Sequence, residues 1–179
     1  MSIPVRYIAL LRAINVGGHT VKMEQLRGLF ADIGFANVET FIASGNVIFD
    51  ALSADEAALA TQIEHSLAQA LGYAVATFLR TPAELVAVAQ GQPFADTVEG
   101  QTLHVGFLAR PPSEKAARHL LALTTPNDDF AITGREFFWR SRTRMSDSLI
   151  TGAKLEKALE MPTTMRSITT VRRLAAKYG

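Results

Sequence analysis

Two hydrophobic rhythms alternate along this chain. Residues 5–11 (Val-Arg-Tyr-Ile-Ala-Leu-Leu) form an apolar, β-rich run that predicts a strand. Met23, Leu26, Leu29, Phe30 and Ile33 then recur at helical spacing and stop at Gly34, which predicts a helix over 23–33. Residues 38–43 and 47–49 read as the strands of a hairpin turning at Ser44-Gly45-Asn46. Ser53 and Glu56 read as a capping box opening a helix with Leu59, Ile63, Leu67 and Leu71 on one stripe, closed by Gly72. A strand at 75–79 completes the order β-α-β-β-α-β, the ferredoxin-like plan.

The pattern then starts again. Thr81-Pro82-Ala83-Glu84 predicts a second capping box and a short helix to about Gly91. Residues 103–108 read as a strand, Pro111-Pro112-Ser113 as its stop and the cap of a helix from Glu114 to about Leu123, and 130–133 with 136–140 as a hairpin around Gly134-Arg135. Residues 149–159 read as a helix ended by Pro162. Ser167 caps a last helix with Ile168, Val171, Leu174 and Tyr178 on one face. The second half therefore reads β-α-β-β-α, with the final strand replaced by helix. The expected fold is α+β: a ferredoxin-like half over residues 1–80, then a similar half over 81–179 packed against it as one compact unit. This is a duplicated plan without residue-level self-similarity.

Topology gathers the candidate chemistry. In a ferredoxin-like sheet the end of the first strand, the start of the first helix and the turn between the second and third strands share one edge. Arg12, Asn15, Gly17, Gly18, His19, Lys22, Ser44, Gly45 and Asn46 all fall there. Donors outnumber acceptors, and the positive end of a helix dipole points at the edge. The arrangement predicts a site for a small anionic ligand, a nucleotide or phosphorylated metabolite, held by backbone N–H groups and cations. Arg166, within the hydroxyl-rich run Thr163–Ser167, is a further candidate ligand cation, although the run itself reads as a helix cap. The competing reading is structural: Gly17-Gly18 is a tight turn and Ser44-Gly45-Asn46 is ordinary hairpin chemistry.

Composition narrows the alternatives. The 179 residues include no cysteine, which excludes disulfides, thiol catalysis and Cys-ligated metal. Net charge is +1, so any nucleic-acid reading rests on local clusters. Arg140, Arg142 and Arg144 after Phe137, Phe138 and Trp139 form such a cluster, and a single-stranded nucleic-acid module is the alternative function. Residues 46–50 do not supply the basic-aromatic signature of RNA-recognition domains. A protein-interaction scaffold using exposed sheet faces is a further alternative. His19, His65, His104 and His119 lack ligand spacing, so neither metal nor cofactor is expected. Asp128 and Asp129 read as solvated. There is no Walker ending, no nucleophile elbow and no identifiable general base, which leaves enzymatic activity open. The apolar run from Tyr7 to Leu11 is too short for a signal, nothing approaches a span, and a cytoplasmic location is expected.

Leu10 to Gly18, then Val21-Lys22-Met23 with Leu26, and Phe41 to Phe49 around Ser44-Gly45-Asn46 resemble the bacterial domain-of-unknown-function 1697 family. Arg80-Thr81 with Glu84-Leu85, and Thr163-Thr164-Met165-Arg166 with Thr170-Val171, fit the same family. The resemblance implies an α+β fold of ferredoxin-like pieces in a soluble protein and no established activity. His19-Thr20 looks like a shortened form of the family's loop, and Ser167 stands where members usually carry Asn.

Overall fold

Every predicted element forms, with shifted ends and one added strand. A computed structural model describes residues 2–12, 14, 18–42, 45–95 and 99–179. The chain divides into two units, Met1–Val86 with Lys177–Gly179, and Ala87–Ala176. The division falls a few residues beyond the boundary expected at 80, and the last three residues belong to the first unit.

In the first unit β1 (Val5–Leu11), α1 (Met23–Ile33), β2 (Ala36–Thr40), β3 (Asn46–Ala51), α2 (Glu56–Leu71) and β4 (Thr77–Arg80) follow in order. The sheet order is β2-β3-β1-β4, with every neighbour antiparallel. This is the strand order expected of a ferredoxin-like half. Tyr7, Ala9 and Leu11 of β1 and Val47 and Phe49 of β3 share one face and pack with Leu26 and Phe30 of α1 and Leu59, Ile63 and Leu67 of α2. Each fully buried Leu, Ile, Val or Phe among them contributes about 1.5–3 kcal/mol. The alternate residues Ile8, Leu10, Ile48 and Phe78 are buried as well. The exposed sheet faces expected for a scaffold are therefore not found on these strands.

The short helix α3 (Pro82–Gln90) opens with the predicted capping box: Thr81 N–H donates to Glu84 Oε2 at 2.8 Å, and Glu84 N–H to Thr81 Oγ1 at 3.3 Å. The second unit runs β5 (Thr102–Phe107), α4 (Glu114–Leu121), β6 (Asp128–Thr133), β7 (Glu136–Ser141), α5 (Gly152–Leu159), β8 (Thr164–Ser167), with α6 (Ile168–Tyr178) after it. Its antiparallel sheet has the order β6-β7-β5-β8. The strand β8 is the addition: the residues read as a helix start pair first with β5, and only then does Ser167 Oγ cap α6 by accepting Thr170 N–H at 3.2 Å. Phe137 and Trp139 join Leu120, Leu155 and Leu159 in the second core, while Val105, Phe107 and Phe138 are buried on the alternate face.

The two sheets match in register as well as in order. Leu11 N–H donates to Gly45 O at 2.9 Å, and Leu108 N–H to Arg135 O at 2.9 Å, so Leu11 corresponds to Leu108. The pair Ile8↔Arg80 then corresponds to Val105↔Arg166. Both arginines are buried, and each turns Nη1 onto the carbonyl just before it, Leu79 O at 2.8 Å and Met165 O at 2.9 Å. Self-similarity absent from the letters is present in the pairing.

Candidate functional site

The polar edge of the first unit is built outward from β1. Where that strand ends, Leu11 N–H is held by Gly45 O and Arg12 N–H by Ala76 O at 2.9 Å, so the chain leaves the sheet from a fixed point. Arg12 is exposed. Ile14 is buried, and its carbonyl accepts Tyr73 Oη at 3.2 Å; Val21, also buried, anchors the far end of the connection. Between these anchors Gly18, at φ 85°, His19 and Thr20 are exposed. The His19 ring stacks on Tyr73 with centroids 3.8 Å apart. Asn15, Gly17 and Ser44, three of the predicted ligand contacts, lie outside the described residues.

Lys22 is the N-cap of α1, extended at φ −70° and ψ 142°, and exposed. Among the described residues no side chain caps this helix start. Its first-turn N–H groups have no intrahelical acceptor and carry the positive end of the dipole. Glu24, also exposed, is the acidic residue of that turn.

Gly45 and Asn46 were expected to touch ligand; the structure gives them another task. Asn46 is 0 % exposed, its Nδ2 donates to Phe41 O at 3.0 Å, and its own carbonyl accepts Phe41 N–H at 3.1 Å. Gly45 is buried at φ 81°, and a Cβ there would come within 2.9 Å of Ile14 Cγ2 and 3.1 Å of Leu11 Cβ. Both residues shape the turn from inside. Ile42, at φ 60°, holds a left-handed conformation that costs a β-branched residue about 1–2 kcal/mol, so its neighbours must fix it.

Arg166 lies in the second unit. It is buried in β8, with Nη1 donating to Thr164 Oγ1 at 2.8 Å, and burial lowers its pKa to about 10, which leaves it cationic at neutral pH. The arginine hairpin is also organised internally. Arg140 reaches Asp129 Oδ2 through Nη2 at 2.7 Å and stands 4.4 Å over the Phe94 ring; Arg142 shares the same carboxylate at 2.9 Å. Arg144 is exposed and precedes a 3₁₀ turn at Met145–Asp147. Phe137, Phe138 and Trp139 are buried, so the aromatic platform expected for bases is core.

The expectation that Asp128 and Asp129 are solvated also fails. Asp128 is 3 % exposed and accepts Trp139 Nε1 at 2.8 Å, Thr125 Oγ1 at 2.7 Å and Ser148 Oγ at 3.3 Å. Burial alone would raise its pKa, but these bonds and one from Ser141 outweigh it and hold the carboxyl below its ordinary range.

Among the described residues no group of three His, Asp or Glu is placed to hold a metal ion, and no helix is long and apolar enough to cross a membrane. Sequence reasoning missed Tyr73, which fastens the loop through Ile14 and His19. It also missed the set around Phe41, where the Tyr178 ring meets Phe41 edge-on at 5.8 Å and Lys177 Nζ lies 5.0 Å over it. Nothing in the local pattern marks such long-range contacts.

Fold and site together define an α+β protein made of two like units, one carrying an elaborated polar edge. The profile of a protein family of unknown function, DUF1697, matches residues 5–138, and the chain belongs to that family. The motif at 163–171 lies beyond the matched residues. The conserved bacterial protein SP0830 from Streptococcus pneumoniae is similar in structure, with a TM-score of 0.73 and 21% identity, over 98% of this chain and 99% of that one. At that identity the likeness shows a shared fold. No curated protein matches this sequence.

Proposed function

We propose that this protein binds a small anionic ligand, a nucleotide or phosphorylated metabolite, at the β1–α1 connection of its first unit. The observation that carries this reading is the difference between corresponding edges of the two units. After Leu108 the second unit needs five residues, 109–113, to reach α4, and Ser113 Oγ caps that helix by accepting Ala116 N–H at 3.1 Å. After Leu11 the first unit uses eleven, 12–22, and among the described residues no side chain caps α1. The neighbouring turn is longer too, five residues at 41–45 against Gly134-Arg135. The fold is satisfied by the short version, and the exposed part of the added length, with Arg12, Gly18 and Lys22, is the part assigned to a ligand.

In this reading Arg12 and Lys22 supply charge, and the first-turn N–H groups of α1 supply donors. Asn15, Gly17 and Ser44 fall within the same connections by sequence. Gly45 and Asn46 hold the turn, and Arg166, buried on Thr164, is left out of the contact set. A cytoplasmic setting, where such ligands abound, accords with the reading. The test is a thermal-shift screen of nucleotides and phosphorylated metabolites. A ligand at a hundred times its dissociation constant stabilises by about 2.7 kcal/mol. The expected result is a shift with wild type that Arg12→Ala abolishes at nearly unchanged basal Tm. A large loss of basal stability with an intact shift would mark Arg12 as structural.

A further inference from the structure

Phe41, next to the left-handed Ile42, is held by Lys177 and Tyr178. Phe41 is fixed through its backbone by Asn46, which takes its N–H at 3.1 Å and donates to its carbonyl at 3.0 Å. Its ring is fixed by Tyr178, edge-on at 88°, and by the Lys177 ammonium 5.0 Å above it; that ammonium also lies 5.4 Å from the Tyr178 ring. Lys177 and Tyr178 belong to the first unit. The next residue along is Ile42 at φ 60°, and three residues later Gly45 O holds the end of β1. A β-branched residue stays left-handed only where its surroundings over-determine it. The ring clamp on Phe41 lies outside the turn's own backbone.

We infer that Lys177 and Tyr178 form a clamp on Phe41 that fixes Phe41 and the left-handed Ile42 beside it, and that they are therefore positioning residues for the anion site proposed above. The contact is made by ring and ammonium. The Tyr178 hydroxyl is buried and makes no hydrogen bond among the described residues, so the phenyl ring alone suffices for the clamp. An edge-to-face aromatic pair and a cation over a ring are short-range, orientation-dependent contacts. Losing them frees the turn locally while leaving the sheet's core intact.

The clamp is testable without ligand, which separates it from the anion reading on which its functional consequence rests. Amide hydrogen exchange is measured on full-length wild type, Tyr178→Ala, Lys177→Ala and Tyr178→Phe. In Tyr178→Ala the Phe41 amide and its neighbours through Asn46 should exchange at least tenfold faster, with β1 and α2 unchanged. Lys177→Ala should give a smaller effect, and Tyr178→Phe should match wild type. Pyrophosphate, used as the probe anion, should then bind Tyr178→Ala at least fivefold more weakly, with Tyr178→Phe restoring wild-type affinity. Unchanged exchange at 41–46, or acceleration spread over the whole first unit, overturns the clamp. Local acceleration with equal pyrophosphate affinity overturns the positioning role. If wild type binds no anion while exchange accelerates locally, the clamp stands and the anion reading falls.

Discussion

Gly106 shows how one side chain can forbid another. It pairs with Phe137 across β5 and β7, and a Cβ at this position would overlap the edge of the Phe137 ring at Cε1, Cζ and Cδ1. Its φ is not left-handed, so its glycine is required by close approach and not by backbone conformation. Since Phe137 is 0 % exposed and cannot swing away, Gly106→Ala should destabilise by about 1–3 kcal/mol, or more if the sheet cannot shift. Urea unfolding measures this, and an unchanged midpoint would mean that the ring has room to move. Gly45 combines both constraints, a positive φ and a crowded Cβ, and so its identity is explained before any ligand is invoked. Asn46 is similar: a residue type that sequence reasoning places at an exposed turn is here buried, with its amide committed to Phe41 O.

At the scale of elements, the β6–β7 hairpin is pinned through two carboxylates. Asp128 ties it to the preceding turn through Thr125 and to the following segment through Ser148, while Asp129 gathers Arg140 and Arg142. Asp50 plays a comparable part in the first unit, where the hydrogen bond from Arg6 at 2.8 Å is the main cause of its lowered pKa. Both carboxyls have folded pKa values below their ordinary 3.8, so the unfolded chain binds protons more readily. Their stabilising contribution is complete above that value and is lost as pH falls through the folded pKa values. The urea midpoint should therefore fall as pH drops below about 4, and Asp128→Asn should flatten that acid limb while lowering stability at neutral pH. An acid limb as steep in the variant as in wild type would contradict the assignment.

The elements also show where sequence reading succeeds. The Thr81–Glu84 box and the Ser113 cap are local chemistry, and both form as read. The cap of α2 moves to Asp55, whose Oδ1 accepts Ala58 N–H at 3.0 Å, while Ser53 Oγ accepts Asp55 N–H. Two good capping residues stand two apart there, and only the path of the chain chooses between them. The strand β8 has four residues, too few for a period to register, and is defined by its partner β5. Of the candidate site, local signals gave the exposed positions of Arg12 and Lys22, while Asn15, Gly17 and Ser44 lie outside the described residues. Tyr73 on Ile14, 59 residues away, and Tyr178 on Phe41 arise only when the chain folds.

At the scale of the whole molecule, a duplicated plan supplies its own control. The two units share strand order and register, down to corresponding buried arginines, and differ most usefully at one polar edge. A net charge of +1 provides no general attraction for anions, so the proposed binding rests on local side chains. The most direct test is isothermal titration of pyrophosphate into wild type, Arg12→Ala and Lys22→Ala at low and moderate salt. The account predicts measurable, salt-weakened binding to wild type, and at least a tenfold loss, about 1.4 kcal/mol, in each variant without a matching loss of Tm. Wild-type protein that takes up no pyrophosphate, or variants that bind it as tightly as wild type, would contradict the claim that the long connection is an anion site.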